Sequence, residues 1–88
     1  MQCNVRFYGI VQGVGFRERT RRMAKGLNLT GWVRNLDDGS VEAIIQGDPE
    51  SVERLIEYCK SEIPNALVTD VKKTYMVEED LDNFKIIK

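Results

Sequence analysis

The stretch Thr30-Gly31-Trp32-Val33-Arg34-Asn35-Leu36-Asp37-Asp38-Gly39-Ser40-Val41-Glu42-Ala43-Ile44-Ile45-Gln46 decides how this chain folds. Thr30 to Leu36 and Ser40 to Gln46 have the β-branched and apolar character of strands. Asp37-Asp38-Gly39 between them is a hairpin signal, with Gly39 free to take a positive φ.

Working outward, each side of the hairpin carries one helix. Upstream, Phe16, Thr20, Met23, Ala24 and Leu27 recur at steps of 4, 3, 1 and 3, which is one helix face. Asn28 then suits the left-handed position just past a helix end. Downstream, Asp48 can cap a helix and Pro49 fits its first turn, while Val52, Leu55, Ile56 and Cys59 share a face. Ile63-Pro64-Asn65 ends that helix. Outermost lie a strand over Cys3 to Ile10 and two more over Val71 to Val77 and Asn83 to Ile87, separated by Glu78-Glu79-Asp80. Through the strand that starts at Val71 the order is β-α-β-β-α-β. It predicts a ferredoxin-like α+β sandwich over residues 1–88 as a single domain, with two helices on one face of an antiparallel sheet. Such a plan carries many unrelated functions, so function must come from a site.

Composition narrows the chemistry. The 88 residues are 42% hydrophobic and 31% charged, as in a folded globular chain. Thirteen Lys and Arg against fourteen Asp and Glu give a net charge of −1, which disfavours a nucleic-acid-coating protein. No apolar run approaches the roughly 20 residues of a membrane helix. The start, Met1 to Arg6, lacks a secretory pattern, so a cytoplasmic protein is expected. Histidine is absent, which removes Ser-His-Asp triads, Cys-His pairs and His-ligated metals. Cys3 and Cys59 are too few for a structural zinc site; they read as free core residues, although spacing alone also permits a bridge. Charge is uneven: residues 1–36 hold seven bases and only Glu18 as an acid, so an anion is drawn to the first third.

Within that basic third, Gly9-Ile10-Val11-Gln12-Gly13-Val14-Gly15-Phe16-Arg17 joins a strand to a helix. Glycines bring backbone N–H groups close to a ligand, and a helix start adds unpaired N–H groups and partial positive charge. Arg17 stands where its guanidinium can fork onto two phosphate oxygens. No Lys-Ser or Lys-Thr follows, so this is not a Walker A loop, and Glu18 breaks a dinucleotide fingerprint. On the residues alone, the segment fits either a phosphate cradle or a Gly-rich turn without a ligand. Asn35 likewise fits either a turn-shaping amide or one that orients a water beside the cradle.

These two segments strongly resemble the two signatures of the acylphosphatase family. Tyr8 to Arg17 follows the first, and Gly31, Trp32, Val33, Arg34, Asn35, Gly39, Val41 and Gly47 fit the second. Departures are Phe7 for a smaller aliphatic residue, Asn28 at a usual Gly position, and Glu18 where an aromatic residue is common; a carboxylate there would weaken anion binding. The resemblance implies metal-independent hydrolysis of small acyl phosphates to a carboxylate and inorganic phosphate, with no cofactor. It implies that Arg17 and the amides of Gln12, Gly13, Val14, Gly15 and Phe16 bind the phosphate, and that Asn35 positions the attacking water.

The chemistry agrees with such a site. The expelled carboxylate has a conjugate acid of pKa about 4, so no general acid is needed. Phosphoryl transfer is mostly positioning plus electrostatics. With no candidate base, the substrate's own phosphate accepts the water's proton. Arg19, Arg21, Arg22 and Lys25 read as the solvated side of the first helix rather than an anion funnel, and Phe7, Tyr8 and Trp32 as core rather than base-stacking residues. Two other functions stay open: an anion-binding module without catalysis, and a small nucleic-acid-binding domain of the same plan. The expected protein is a monomer, with no nucleic-acid or membrane partner.

Overall fold

The computed structural model describes all of residues 1–88. Five strands and two helices follow one another: β1 (Gln2–Ile10), α1 (Phe16–Gly26), β2 (Thr30–Asn35), β3 (Val41–Gln46), α2 (Pro49–Ser61), β4 (Leu67–Met76) and β5 (Phe84–Ile86). The strands form one sheet in the order β4-β1-β3-β2-β5. Strands β1 to β4 are antiparallel as expected, with Val5 opposite Ala43 and Val33 opposite Ala43 in the two central pairings. The fifth strand departs from the expected antiparallel sheet. It runs parallel to β2, with Gly31 opposite Phe84 and Val33 opposite Ile86, so the whole sheet is mixed. The chain reaches β5 by crossing from the β4 edge of the sheet to the β2 edge, and that crossing sets the direction in which β5 arrives.

Both helices cover one face. Cys3, Val5 and Phe7 of β1, Val41, Ala43 and Ile45 of β3, and Phe84 of β5 bury there. They meet Phe16 and Ala24 of α1 and Val52, Leu55, Ile56 and Cys59 of α2, the stripes the helical spacing predicts. Helix ends behave as expected too. Asn28 takes φ 58° just past α1, and the Asp48 carboxylate accepts from the Ser51 amide at 3.3 Å at the start of α2. Cys3 and Cys59 are free and buried. Burial pushes the Cys59 thiol up to about 12, against a hydrogen-bonding contact of 3.3 Å with the Thr20 hydroxyl.

Strand β4 and two aromatic residues also differ from expectation. Strand β4 begins at Leu67 rather than Val71, because Gly9 and Ile10 pair with Val68 and Leu67 beyond a register shift. Tyr8 and Trp32 are not core residues. Side chains alternate across a strand, so burying Phe7 and Val33 turns Tyr8 and Trp32 to the face that no helix covers. There Lys72 lies 5.5 Å from the Tyr8 ring and Arg34 lies 5.1 Å from the Trp32 ring. No helix is long and apolar enough to cross a membrane.

Candidate active site

The connection from β1 to α1 bends twice in five residues. Gly13 and Gly15 both take φ 76°, a left-handed conformation that costs side-chain-bearing residues energy. A Cβ at either would meet only open space, so glycine supplies conformation there rather than room. Gly15 is also the residue from which α1 starts, and no side chain caps that helix. The amides of its first turn lack helical acceptors and carry the positive end of the helix dipole.

Gln12 ties this loop to the central hairpin. Its side-chain amide donates to the carbonyls of Leu36 at 2.8 Å and Ser40 at 3.0 Å, the residues that flank the β2–β3 turn. Those carbonyls follow Asn35, the last residue of β2, so loop and strand end are fixed against each other. Asn35 shares the helix-side face with Val33, two residues earlier.

A cavity of about 220 Å³ opens where these parts meet. Gln12, Gly13, Gly15, Phe16 and Arg17 line it from the loop and helix, and Asn35 lines it from β2. Val14 is not among its lining residues; its side chain packs, partly buried, against the core. Arg17 takes part in none of the molecule's ion pairs. The space is smaller than a drug-sized pocket and suits a small anion whose remaining part extends outward.

Three further residues line the cavity without having been assigned to the site from the sequence: Val11, Glu18 and Ile86. Glu18 is the residue expected from the sequence to weaken anion binding. Its carboxylate accepts from Arg21 at 2.8 and 2.6 Å and from Arg22 at 3.0 Å. Hydrogen bonds from Arg21 and then Arg22 hold it down to about 2, so it is ionised and paired and no base near neutral pH. The signal for this was present as Glu at i with Arg at i+3 and i+4. Ile86 had none, since only the β2–β5 pairing brings it near. No three His, Cys, Asp or Glu side chains gather where they could hold a metal ion.

Fold and cavity together define a class: small ferredoxin-like α+β proteins with an anion-sized hollow where the first strand turns into the first helix. The sequence profile of the acylphosphatase family matches residues 3–86. An acylphosphatase of Thermococcus kodakarensis is 48% identical over 87 residues, spanning 99% of this chain and 96% of its own length. Among solved structures, an acylphosphatase from Coxiella burnetii matches with a TM-score of 0.93 at 40% identity, covering 98% of this chain and 90% of that one. Acylphosphatase from Bacillus subtilis matches with a TM-score of 0.94 at 35% identity, over 99% and 98% of the two chains. The chain belongs to the acylphosphatase family. It is an enzyme, a hydrolase acting on acid anhydrides.

Proposed function

We propose that residues 1–88 act as one domain that hydrolyses small acyl phosphates, with Arg17 and Asn35 as the catalytic residues. The substrate's phosphoryl oxygens sit against the amides of Gln12, Gly13, Val14, Gly15 and Phe16, and the Arg17 guanidinium forks onto two of them. The Asn35 carboxamide orients a water toward phosphorus. Attack forms a new P–O bond as the bond to the bridging oxygen breaks, and the electron pair leaves on the carboxylate. One water proton stays on the new P–OH and the other passes to a phosphoryl oxygen, so the products are a carboxylate and dihydrogen phosphate. No protein base is required, in keeping with the absence of histidine and the ion-paired state of Glu18.

The observation that carries this reading is that Asn35 of β2, distant in sequence from the glycine loop and Arg17, lines the same cavity as they do. The test is acetyl phosphate consumption by the purified chain with and without a chelator. Turnover is expected to resist chelation, and Arg17→Ala is expected to lose both turnover and the stabilisation that inorganic phosphate confers against unfolding. Undiminished phosphate stabilisation in that variant would remove Arg17 from the site. The reading also has the enzyme work in the cytoplasm as a monomer, without metal, cofactor or nucleic acid; sedimentation with and without phosphate checks its oligomeric state.

A further inference from the structure

Glu18 is the only acidic side chain that lines the cavity, and it is the chain neighbour of Arg17. Successive helix residues do not face each other, but Arg17 and Glu18 both line this one cavity, and a carboxylate matches the planar fork of a guanidinium as well as a phosphate does. In this structure the Glu18 carboxylate is paired elsewhere. Arg21 forks onto both Glu18 oxygens, Nε to Oε1 at 2.8 Å and Nη2 to Oε2 at 2.6 Å. Arg22 Nε adds a third contact to Oε2 at 3.0 Å. Arg17 forms no ion pair.

We propose that Arg21 and Arg22 are positioning residues that hold the Glu18 carboxylate away from Arg17, so that Arg17 reaches the substrate's phosphoryl group unpaired. The inference rests on Arg17 as the phosphate ligand. The spacing is the favourable one, an acid followed at i+3 and i+4 by bases on an α-helix. The two bases lie on the basic side of α1 that otherwise reads as a solvated surface. Each exposed pair alone is weak, but two bases on one carboxylate leave neither oxygen free.

The consequence is set by populations. If the carboxylate is released, some molecules carry an Arg17–Glu18 pair and cannot bind phosphate. The apparent dissociation constant then rises by the inverse of the competent fraction. Saturating substrate restores the competent form, so KM rises while kcat holds. Loss of positive field alone predicts something different, a change that any two cations of α1 would produce and that salt would screen.

The experiment compares four full-length proteins: wild type, Arg21→Gln/Arg22→Gln, the same pair with Glu18→Gln added, and Arg19→Gln/Lys25→Gln as a control. Each is assayed for KM and kcat with acetyl phosphate and for Kd with inorganic phosphate. The Arg21/Arg22 variant is expected to raise KM and Kd about fivefold, the scale of a surface ion pair, with kcat nearly unchanged. Adding Glu18→Gln is expected to bring both constants back to near wild type, and the control is expected to leave them in place. If the double variant does not fold, Arg21→Gln and Arg22→Gln are read singly, each with Glu18→Gln as its rescue. An unchanged KM, a failed rescue, an equal loss in the control or a fall in kcat alone each overturns the inference. Wild type that neither turns over acetyl phosphate nor binds phosphate overturns the proposed function and this inference together. A working wild type with an indifferent variant overturns this inference alone.

Discussion

At the scale of single residues, the site has few ways to ionise. In the proposed mechanism its phosphate donors are main-chain amides and a guanidinium, and the one carboxylate lining the cavity is ion-paired, its pKa held down to about 2. Asn35 brings neither charge nor a proton to exchange, so its contribution must be geometric. In the proposed mechanism, Asn35→Ala is expected to lower kcat by roughly two to three orders of magnitude, the scale of losing one preorganised polar group. KM and inhibition by inorganic phosphate should stay close to wild type, because the phosphoryl group is held by other atoms. Steady-state kinetics on acetyl phosphate decide this, and a variant with wild-type kcat would leave Asn35 only the shape of the hairpin turn.

At the scale of elements, the two helices begin in opposite ways. Helix α2 has Asp48 to accept from an amide of its first turn and Pro49 where an amide would be wasted. Helix α1 starts from a left-handed glycine with no side-chain cap, and its start faces the cavity. A cap stabilises a helix by satisfying the same N–H groups an anion would use, so in the proposed mechanism the helix without one is the helix that takes the phosphate. Asp48→Ala is accordingly expected to cost about 1 kcal/mol of stability in urea unfolding while kcat and KM stay unchanged. A loss of activity at unchanged stability would show that α2 reaches the site by a route the structure does not contain. Gln12 plays the complementary part, since it joins the loop before α1 to the hairpin after it.

At the scale of the whole molecule, Glu42 binds three strands together on the face away from the helices. Its side chain is 7% exposed and meets Arg34 of β2 at 2.7 Å, Arg6 of β1 at 3.6 Å and Asn4 of β1 at 3.0 Å. Burial opposes its ionisation, but the hydrogen bonds from Asn4 and Arg34 and the charges of Arg34 and Arg6 outweigh it and hold its pKa below the ordinary value. A depressed carboxylate pKa means that the unfolded chain takes up the proton first. The stability this group contributes is therefore full above the unfolded pKa of about 4.3 and is lost as pH falls through the lower folded value. Glu42→Ala is expected to cost roughly 1.5–3 kcal/mol at pH 7, the range for hydrogen bonds to a charged group, and to flatten the loss of stability below pH 4. Unfolding midpoints from pH 7 down to pH 3 check both; a variant with the wild-type slope would remove Glu42 from acid sensitivity.

The sequence by itself determined whatever depends on near neighbours along the chain. The helix stripes at Phe16 to Leu27 and Val52 to Cys59, the Asp48 cap, the left-handed Asn28 and the hairpin at Asp37 to Gly39 follow from spacing and local stereochemistry. The two signatures likewise pointed to Arg17, Asn35 and the glycine loop, and the fold brings these around one cavity. What only the tertiary structure decided depends on which strand lies beside which. Parallel β5 and the arrival of Ile86 at the cavity, the early start of β4, and the turning of Tyr8 and Trp32 from the core all arise from pairings across the sheet. A strand carries its own alternation in its residues. Its partner, its direction and the face that the helices cover are fixed only when the separate hydrophobic stripes are buried together.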